Sequence, residues 1–229
     1  MKQKGIPFVW SKTEAPFHEP ASGFRPALVL ENHEGSEYNG VMVAGLSAGC
    51  DHSLEGIVIA GLVTHSNIRT TGLAISGFGN FNQYFSGFQV AGFTNTAYCN
   101  FSGIQIAGVV NRSNSDSRGV SIAGLMNTTE GDFAGVQVSS IVNAVEGGNL
   151  DGVQISGAVN YSEDNFRGAQ FSGIYNHAGI SDRFCLQVGL ANNIRTYEGG
   201  LVIQVGLYNK AGSQICPFVN VRGLKRKKK

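Results

Sequence analysis

The sequence predicts an all-β protein, built as a parallel β-solenoid of about eleven coils of about 16 residues each. Three observations support this fold class. Similar apolar stretches begin with a glycine at a nearly constant interval, most of them end in asparagine, and polar turn-forming residues separate them. A single coil cannot bury its apolar face alone, whereas stacked copies bury a continuous core.

The repeat itself is the first element of the prediction, and "GIQIAGVVN" at 103–111 is a typical copy. Two degenerate copies follow the regular ones, "CLQVGLAN" at 185–192 and "VIQVGLYN" at 202–209. The period between regular copies stays within one residue of 16, which indicates one structural unit per copy. The repeat glycines are Gly40, Gly56, Gly72, Gly87, Gly103, Gly119, Gly135, Gly152 and Gly168.

The asparagine that closes each copy is the second element. Parallel stacking places equivalent residues about 4.8 Å apart, close enough for side-chain amides to bond to one another along the stack. We therefore predict a buried structural ladder, formed by Asn80, Asn95, Asn111, Asn127, Asn143, Asn160, Asn176, Asn192 and Asn209.

Alternation within a copy predicts which residues face inward. In "LQVGLAN" it groups Leu186, Val188 and Leu190 with the buried Asn192. Copies with an additional small residue, such as Ala107 before Gly108, require a bulge or bend at the Ala-Gly pair to keep that phase. The same alternation predicts an outward ladder of glutamines: Gln89, Gln105, Gln137, Gln154, Gln170, Gln187 and Gln204.

An antiparallel β-barrel or meander is the alternative architecture. It would place successive asparagines at opposite ends of neighbouring strands, leaving them without a shared partner, so we favour the solenoid. Residues 1–39 lack the repeat and contain four of the five prolines, which predicts an N-terminal cap over the first coil. The repeat solenoid spans 40–209, and 210–229 form a C-terminal cap with a polybasic tail.

Charge is concentrated at the C-terminal end. The chain has a net charge of +1, but its last eight residues hold six of the 17 basic residues and no acid. The rest of the chain has eleven basic and 16 acidic residues, a net charge of −5. We expect a flexible arm that binds an anionic membrane surface, with nucleic acid or a solubilising role less favoured. Its candidate binding residues are Arg222, Lys225, Arg226, Lys227, Lys228 and Lys229.

Catalytic and metal-binding motifs are not found. The four cysteines form no CxxC pair and are interpreted as reduced thiols, and the sequence predicts neither a metal nor a cofactor. His65 and His177 are the candidate catalytic bases, but we prefer to interpret both as solvated turn histidines. Asp132, Asp151 and Asp164 lie in successive turns and are interpreted as turn residues rather than cation ligands.

The copies "GIQIAGVVN", "GVSIAGLMN" and "GVQISGAVN" resemble bacterial surface-repeat proteins made of tandem Gly-apolar-Gln-apolar-Gly-apolar-apolar-Asn units. The resemblance covers about residues 40–209 and implies an architecture and a bacterial origin. "MKQKGIPFVWSKTE" is too short in its apolar run for a signal peptide, and no window is apolar enough for a transmembrane helix. We therefore expect a cytoplasmic protein, or one delivered into another cell by a non-classical secretion route.

These observations favour a non-catalytic binding or scaffold protein, with a secreted effector as one form of it. We expect it to bind a protein partner, which the sequence does not identify, and to contact anionic membrane through its tail. The alternative is a β-solenoid enzyme that acts on a carbohydrate or an acyl group. Solenoids commonly present long regular surfaces to partners, which is why binding is preferred.

Overall fold

Parallel stacking of equivalent strands is the organising feature of the fold. A computed structural model describes residues 11–14, 21–27, 30–34 and 37–223, and every regular element among these residues is a β-strand. The strands are β1 (Ser11–Glu14), β2 (Ala21–Ala27), β3 (Leu30–Glu34), β4 (Tyr38–Ala44), β5 (Ser47–Cys50), β6 (Ser53–Ala60), β7 (Val63–Ser76), β8 (Gly79–Ala91), β9 (Thr94–Ala97), β10 (Phe101–Ala107), β11 (Val110–Ser113), β12 (Ser117–Ala123), β13 (Met126–Thr129), β14 (Phe133–Ser139), β15 (Val142–Val145), β16 (Leu150–Ser156), β17 (Val159–Ser172), β18 (Tyr175–Ser181), β19 (Cys185–Val188), β20 (Ala191–Tyr197), β21 (Val202–Ala211) and β22 (Gln214–Arg222).

The chain divides into two units, Met1–Ser113 and Asn114–Lys229. In the first unit β10 pairs in parallel with β8, with Gly103 opposite Gly87. In the second unit β16 pairs in the same way with β14 and β17. The predicted parallel β-solenoid of about eleven coils is confirmed, and parallel pairing replaces the antiparallel alternative.

Each coil has two straight sides joined by a bend. In the coil at 101–113 the longer side is β10, which we call the Gly strand, and the shorter side is β11, the Asn strand. The chain bends at Gly108 and Val109, directly after Ala107. The bend predicted at the Ala-Gly pair is therefore confirmed. In some coils a polar turn separates the Asn strand from the next Gly strand, whereas β7, β8 and β17 each run through both without a break.

The interior of a coil is narrow and largely polar. In the same coil Phe101, Gln105 and Ala107 face inward from the Gly strand, and Asn111 and Ser113 face inward from the Asn strand. Phenylalanines two residues before the repeat glycine stack in the core, with the rings of Phe85 and Phe101 at a centroid distance of 6.1 Å. Small and amide side chains fill the remaining space.

A repeat glycine is required where two coils approach most closely. Gly168 has a φ of 129°, and a Cβ atom at this position would clash with the carbonyl oxygen of Gly152 in the neighbouring coil. Both features exclude a side chain, because L-residues rarely adopt this φ and the space is taken by backbone. The glycine column thus fixes how closely the Gly strands stack.

Parallel pairing also extends before the first regular copy. β2 pairs with β4, with Gly23 opposite Gly40, and β1 pairs with β3. Of these strands, β1, β2 and β3 fall within the segment 1–39 assigned to the N-terminal cap. A described Gly strand therefore precedes the first copy recognised from the sequence.

The C-terminal end of the second unit reverses direction. β22 pairs antiparallel with β21, and the register shifts between Gly206 and Asn209. This hairpin occupies the described part of the segment 210–229. No helix among the described residues is long and apolar enough to cross a membrane.

Candidate binding surface

The asparagine ladder runs through the interior of each unit. In the first unit the Nδ2 atom of Asn80 donates to Oδ1 of Asn95 at 2.7 Å, and Asn95 donates to Asn111 at 2.9 Å. In the second unit Asn160 donates to Asn176 at 3.0 Å. The stacked asparagines predicted from the sequence are confirmed, with the same bonds linking Asn127, Asn143, Asn192 and Asn209.

Ladder asparagines also bond to the bend of a neighbouring coil. Nδ2 of Asn160 donates to the backbone carbonyl of Phe171 at 2.7 Å, and Asn95 donates to that of Ile106 at 2.8 Å. These carbonyls lie just before a bend. The asparagine therefore links the ladder to the bend of the next coil.

The glutamines form a second buried ladder, so the prediction that they face outward is wrong. Gln154 is fully buried; its Nε2 donates to Oε1 of Gln137 at 2.8 Å, and its Oε1 accepts from Gln170 at 2.9 Å. The physical reason is the bend. In the degenerate copies, from which the faces are predicted, Gln187 and Asn192 are five residues apart, so alternation counted back through the bend places the glutamine outside. In the regular copies Gln154 and Asn160 are six residues apart and both are buried, so the additional residue at the bend restores the phase.

The hairpin ends the glutamine ladder. Asn220 in β22 is fully buried and donates to Oε1 of Gln204 at 2.9 Å. Its own Oδ1 accepts from Gln214 at 2.9 Å. The end of the ladder is thereby satisfied by side chains of the hairpin.

Apolar side chains that the sequence assigned to the core point outward instead. Leu186 and Val188 are half-buried and Leu190 is exposed, whereas Gln187 between them is buried. The prediction that these three residues lie inside is wrong for the same reason of phase. The outward positions of the Gly strands therefore form regular apolar columns, one residue per coil.

In the first unit the columns form what we call the first outer face. Its members are half-buried or exposed along the Gly strands: Val41, Val43, Ile57, Ile59, Leu73, Ile75, Phe88, Val90, Ile104 and Ile106. A third column lies at the bends, where the exposed rings of Phe78 and Phe93 stack at a centroid distance of 5.1 Å. Aromatic stacking on the surface adds to the apolar character of this face.

The second unit has its own apolar columns, which we call the second outer face: Val120, Ile122, Val136, Val138, Val153, Ile155, Ala169, Phe171, Leu186, Val188, Ile203 and Val205. The register of β14, β16, β17, β19 and β21 aligns these positions. Regular exposed apolar area of this kind is typical of an interaction site on a soluble protein.

The hairpin continues the second outer face. Val219 lies opposite Val205 and Val221 lies opposite Ile203, so apolar residues meet across β21 and β22. Phe218 is 67% exposed and adopts a φ of 66°. It is the one non-glycine with positive φ among the described residues. Sequence reasoning missed this residue, and only the pairing of β22 reveals it.

The predicted basic site is described only at its start. Arg222 stacks its guanidinium over the ring of Tyr197 at 4.0 Å and donates to the carbonyl of Ala211. It is therefore held on the hairpin rather than in a flexible arm. Lys225, Arg226, Lys227, Lys228 and Lys229 lie outside the described residues.

His177 is held in a cluster of side chains on the second unit. Its ring stacks on Tyr161 at a centroid distance of 4.9 Å, and its Nδ1 lies 3.0 Å from Nδ2 of Asn193 and 3.3 Å from the hydroxyl of Tyr175. The ring is only 7% exposed, and burial, with a smaller contribution from Arg195, lowers the pKa of His177. A neutral, enclosed imidazole is poorly placed to meet a substrate.

The other candidate base is also desolvated. Burial lowers the pKa of His65, and the nearby carboxylate of Asp51 partly opposes this shift. His65 lies in β7 of the first unit and His177 in β18 of the second, so the interpretation of both as solvated turn histidines is wrong.

The acidic residues have separate local roles, and their interpretation as turn residues is wrong for two of them, since Asp151 lies in β16 and Asp164 in β17. Oδ1 of Asp132 accepts from the backbone nitrogen of Asn149 at 2.7 Å and from its Nδ2 at 3.0 Å. Asp151 pairs with Arg167 at 3.4 Å beside a shallow cavity of about 210 Å³. Among the described residues no group of three or more histidine, cysteine or acidic side chains could hold a metal ion.

All four cysteines are free thiols, and burial raises the pKa of the Cys185 thiol. A protonated thiol in this position is a weak nucleophile. The interior thus contributes packing and amide bonding rather than reactive groups.

Comparison with known proteins does not assign the chain to a family. No family model, no curated protein and no solved structure matches it.

Proposed function

We propose that the chain is a non-catalytic binding protein that associates with anionic membrane surfaces. The observation that carries the proposal is the distribution of side chains in each coil: amides occupy the interior, while regular apolar columns lie on the outer faces. A chain that uses its polar residues to build the core leaves its apolar residues available for contact. The basic C-terminal run adds attraction to anionic lipid headgroups.

The resemblance of the repeat to bacterial surface-repeat proteins extends the proposal to a bacterial effector. Delivery into a contacted cell would expose the chain to an anionic cytoplasmic leaflet, where basic residues are attracted most strongly. A protein partner on the remaining outer face would make it a scaffold at that membrane.

A β-solenoid enzyme acting on a carbohydrate or an acyl group is the alternative, and the described residues support it less. An acid or base must reach its substrate within hydrogen-bonding distance. His177 is enclosed by Tyr161, Tyr175 and Asn193, and Asp132 is occupied by Asn149.

Vesicle co-sedimentation tests the proposal. We expect the full chain to sediment at low salt with vesicles that contain phosphatidylserine and not with pure phosphatidylcholine vesicles. Deletion of residues 224–229 removes five of the positive charges but leaves Arg222 on Tyr197, so it should weaken sedimentation strongly without changing the melting temperature. Equal sedimentation of the two proteins, or none of the full chain, would contradict the proposed role of the basic run.

A further inference from the structure

The hairpin β21–β22 carries an exposed apolar surface, which we call the hairpin patch and define as Val205, Leu207, Phe218, Val219 and Val221. Building on the function proposed above, we propose that the hairpin patch inserts into the interfacial region of an anionic bilayer while the adjoining basic run binds the headgroups. This assigns a membrane-inserting site that includes Phe218.

Exposure and pairing define the apolar part of the site. Phe218 is 67% exposed, Leu207 is 64% exposed and Val219 is 55% exposed, which is high for three apolar residues on one hairpin. Phe218 lies opposite Gly206, directly beside Leu207, and Val219 lies opposite Val205. Val205, Val219 and Val221 therefore share one face of the hairpin, and Leu207 and Phe218 lie at its end, where the register shifts between Gly206 and Asn209.

Backbone strain is the second, independent observation. A φ of 66° is unfavourable for a bulky residue relative to glycine or asparagine. Packing within the chain does not offset this cost at Phe218, because most of its side chain is exposed to solvent. A strained backbone that presents an aromatic side chain to the outside is typical of a functional position.

Charge identifies the partner. Residues 199–229 contain no Asp or Glu but hold seven Lys and Arg residues, two of them within the described hairpin as Lys210 and Arg222. Two copies that met through their hairpins would bring these like charges together, which disfavours a homodimer at this site. An anionic lipid surface instead complements them.

Two weak signals combine in one place. A basic run alone gives reversible, salt-sensitive binding, and a small apolar surface alone gives weak partitioning. Their sum gives stable attachment, as it does for a single acyl chain beside a polybasic segment. Arg222, the first basic residue of the run, is held on Tyr197 and lies in β22 of the hairpin.

Phe218→Asn is the decisive variant. Asparagine tolerates positive φ, so this variant should melt at or above the temperature of the wild type, while losing the aromatic side chain. Phe24→Asn is the matched control, because Phe24 is also 67% exposed but lies in the first unit. With phosphatidylserine vesicles we expect at least a tenfold weaker partition coefficient for Phe218→Asn and less than a twofold change for Phe24→Asn.

Depth measurement provides a second test. In a Trp10→Phe background, tryptophan placed at position 218 should shift its emission to the blue and be quenched by lipids brominated near the headgroup, whereas tryptophan at position 24 should not. Trp10 is the single tryptophan of the chain, so each variant has one fluorophore.

The outcomes separate this inference from the proposed function. Wild-type binding by Phe218→Asn, combined with loss of binding on deletion of 224–229, would overturn insertion and leave membrane association standing. An equal effect of Phe24→Asn would overturn the localisation to the hairpin. Failure of the full chain to bind phosphatidylserine vesicles at low salt would overturn both.

Discussion

At the scale of the residue, the defining choice is the buried primary amide. An amide side chain has donors and acceptors on both sides, so an identical residue in the next coil can always satisfy it. The ladder bonds measure 2.7–3.0 Å between Asn143, Asn160 and Asn176 and between Gln154, Gln170 and Gln187. Each ladder amide bonds to the amides of both neighbouring coils, so an apolar substitution leaves two buried amides without that partner.

Both ladders should therefore contribute to stability. We expect Asn160→Leu and Gln154→Leu each to lower the free energy of unfolding by about 1–3 kcal/mol, because buried amides in the neighbouring coils lose a partner. Asn67→Leu is the control: its amide bonds to Asp51 at 3.1 Å on the exposed surface, so its cost should stay below about 0.5 kcal/mol.

Urea unfolding followed by circular dichroism measures all three variants. A glutamine variant as stable as the Asn67 variant would show that the second ladder is not a stabilising element. Such a result would contradict the burial found for Gln154.

At the scale of the element, the sequence predicted the repeat, the parallel stacking, the bend and the asparagine ladder, because each depends on spacing alone. It misplaced Gln154 and Leu186 because strict alternation does not continue through the bend of a degenerate copy, where Gln187 and Asn192 are five residues apart and yet both buried. It also missed the hairpin, since residues 214–222 share no period with the coils. Phe218 at positive φ follows from that hairpin and from no local sequence pattern.

The closest approach between coils should be the most sensitive position of a Gly strand. Gly168→Ala combines an unfavourable φ with a clash against the carbonyl of Gly152, so we expect a loss of about 3 kcal/mol or more. Gly147→Ala is the control, because Gly147 also has positive φ, 67°, but has open space where its Cβ would lie. Its cost should be about 1 kcal/mol.

Thermal unfolding of the two alanine variants distinguishes strain from clash. Equal melting temperatures would mean that backbone φ alone accounts for the glycine column. A much lower value for Gly168→Ala would show that inter-coil contact decides it.

At the scale of the whole molecule, stability is a sum over coils and the contacts between adjacent coils. Equivalent residues pair across a step of 16 in β16 and β17, with Gly152 opposite Gly168. Deletion of residues 152–167 would join Asp151 to Gly168 and leave both ladders in register. One coil should therefore be removable without loss of the fold.

We expect the chain lacking 152–167 to fold, with β-sheet circular dichroism and a cooperative melt close to that of the full chain. Deletion of 152–166, one residue fewer, should abolish cooperative folding, because every following side chain on the strand would change faces. Comparable melts for the two deletions would show that register is not set by the ladders.

The amide interior has a thermodynamic consequence of its own. Unfolding exposes the buried Asn and Gln side chains, whose hydration lowers the heat capacity by about 0.26 cal/K/mol per Å², while much of the apolar area that would raise it already faces outward. The heat-capacity change of unfolding per residue is thus smaller than in a protein with an entirely apolar core. A smaller change flattens the dependence of stability on temperature, so the fold loses little stability on cooling or on moderate warming.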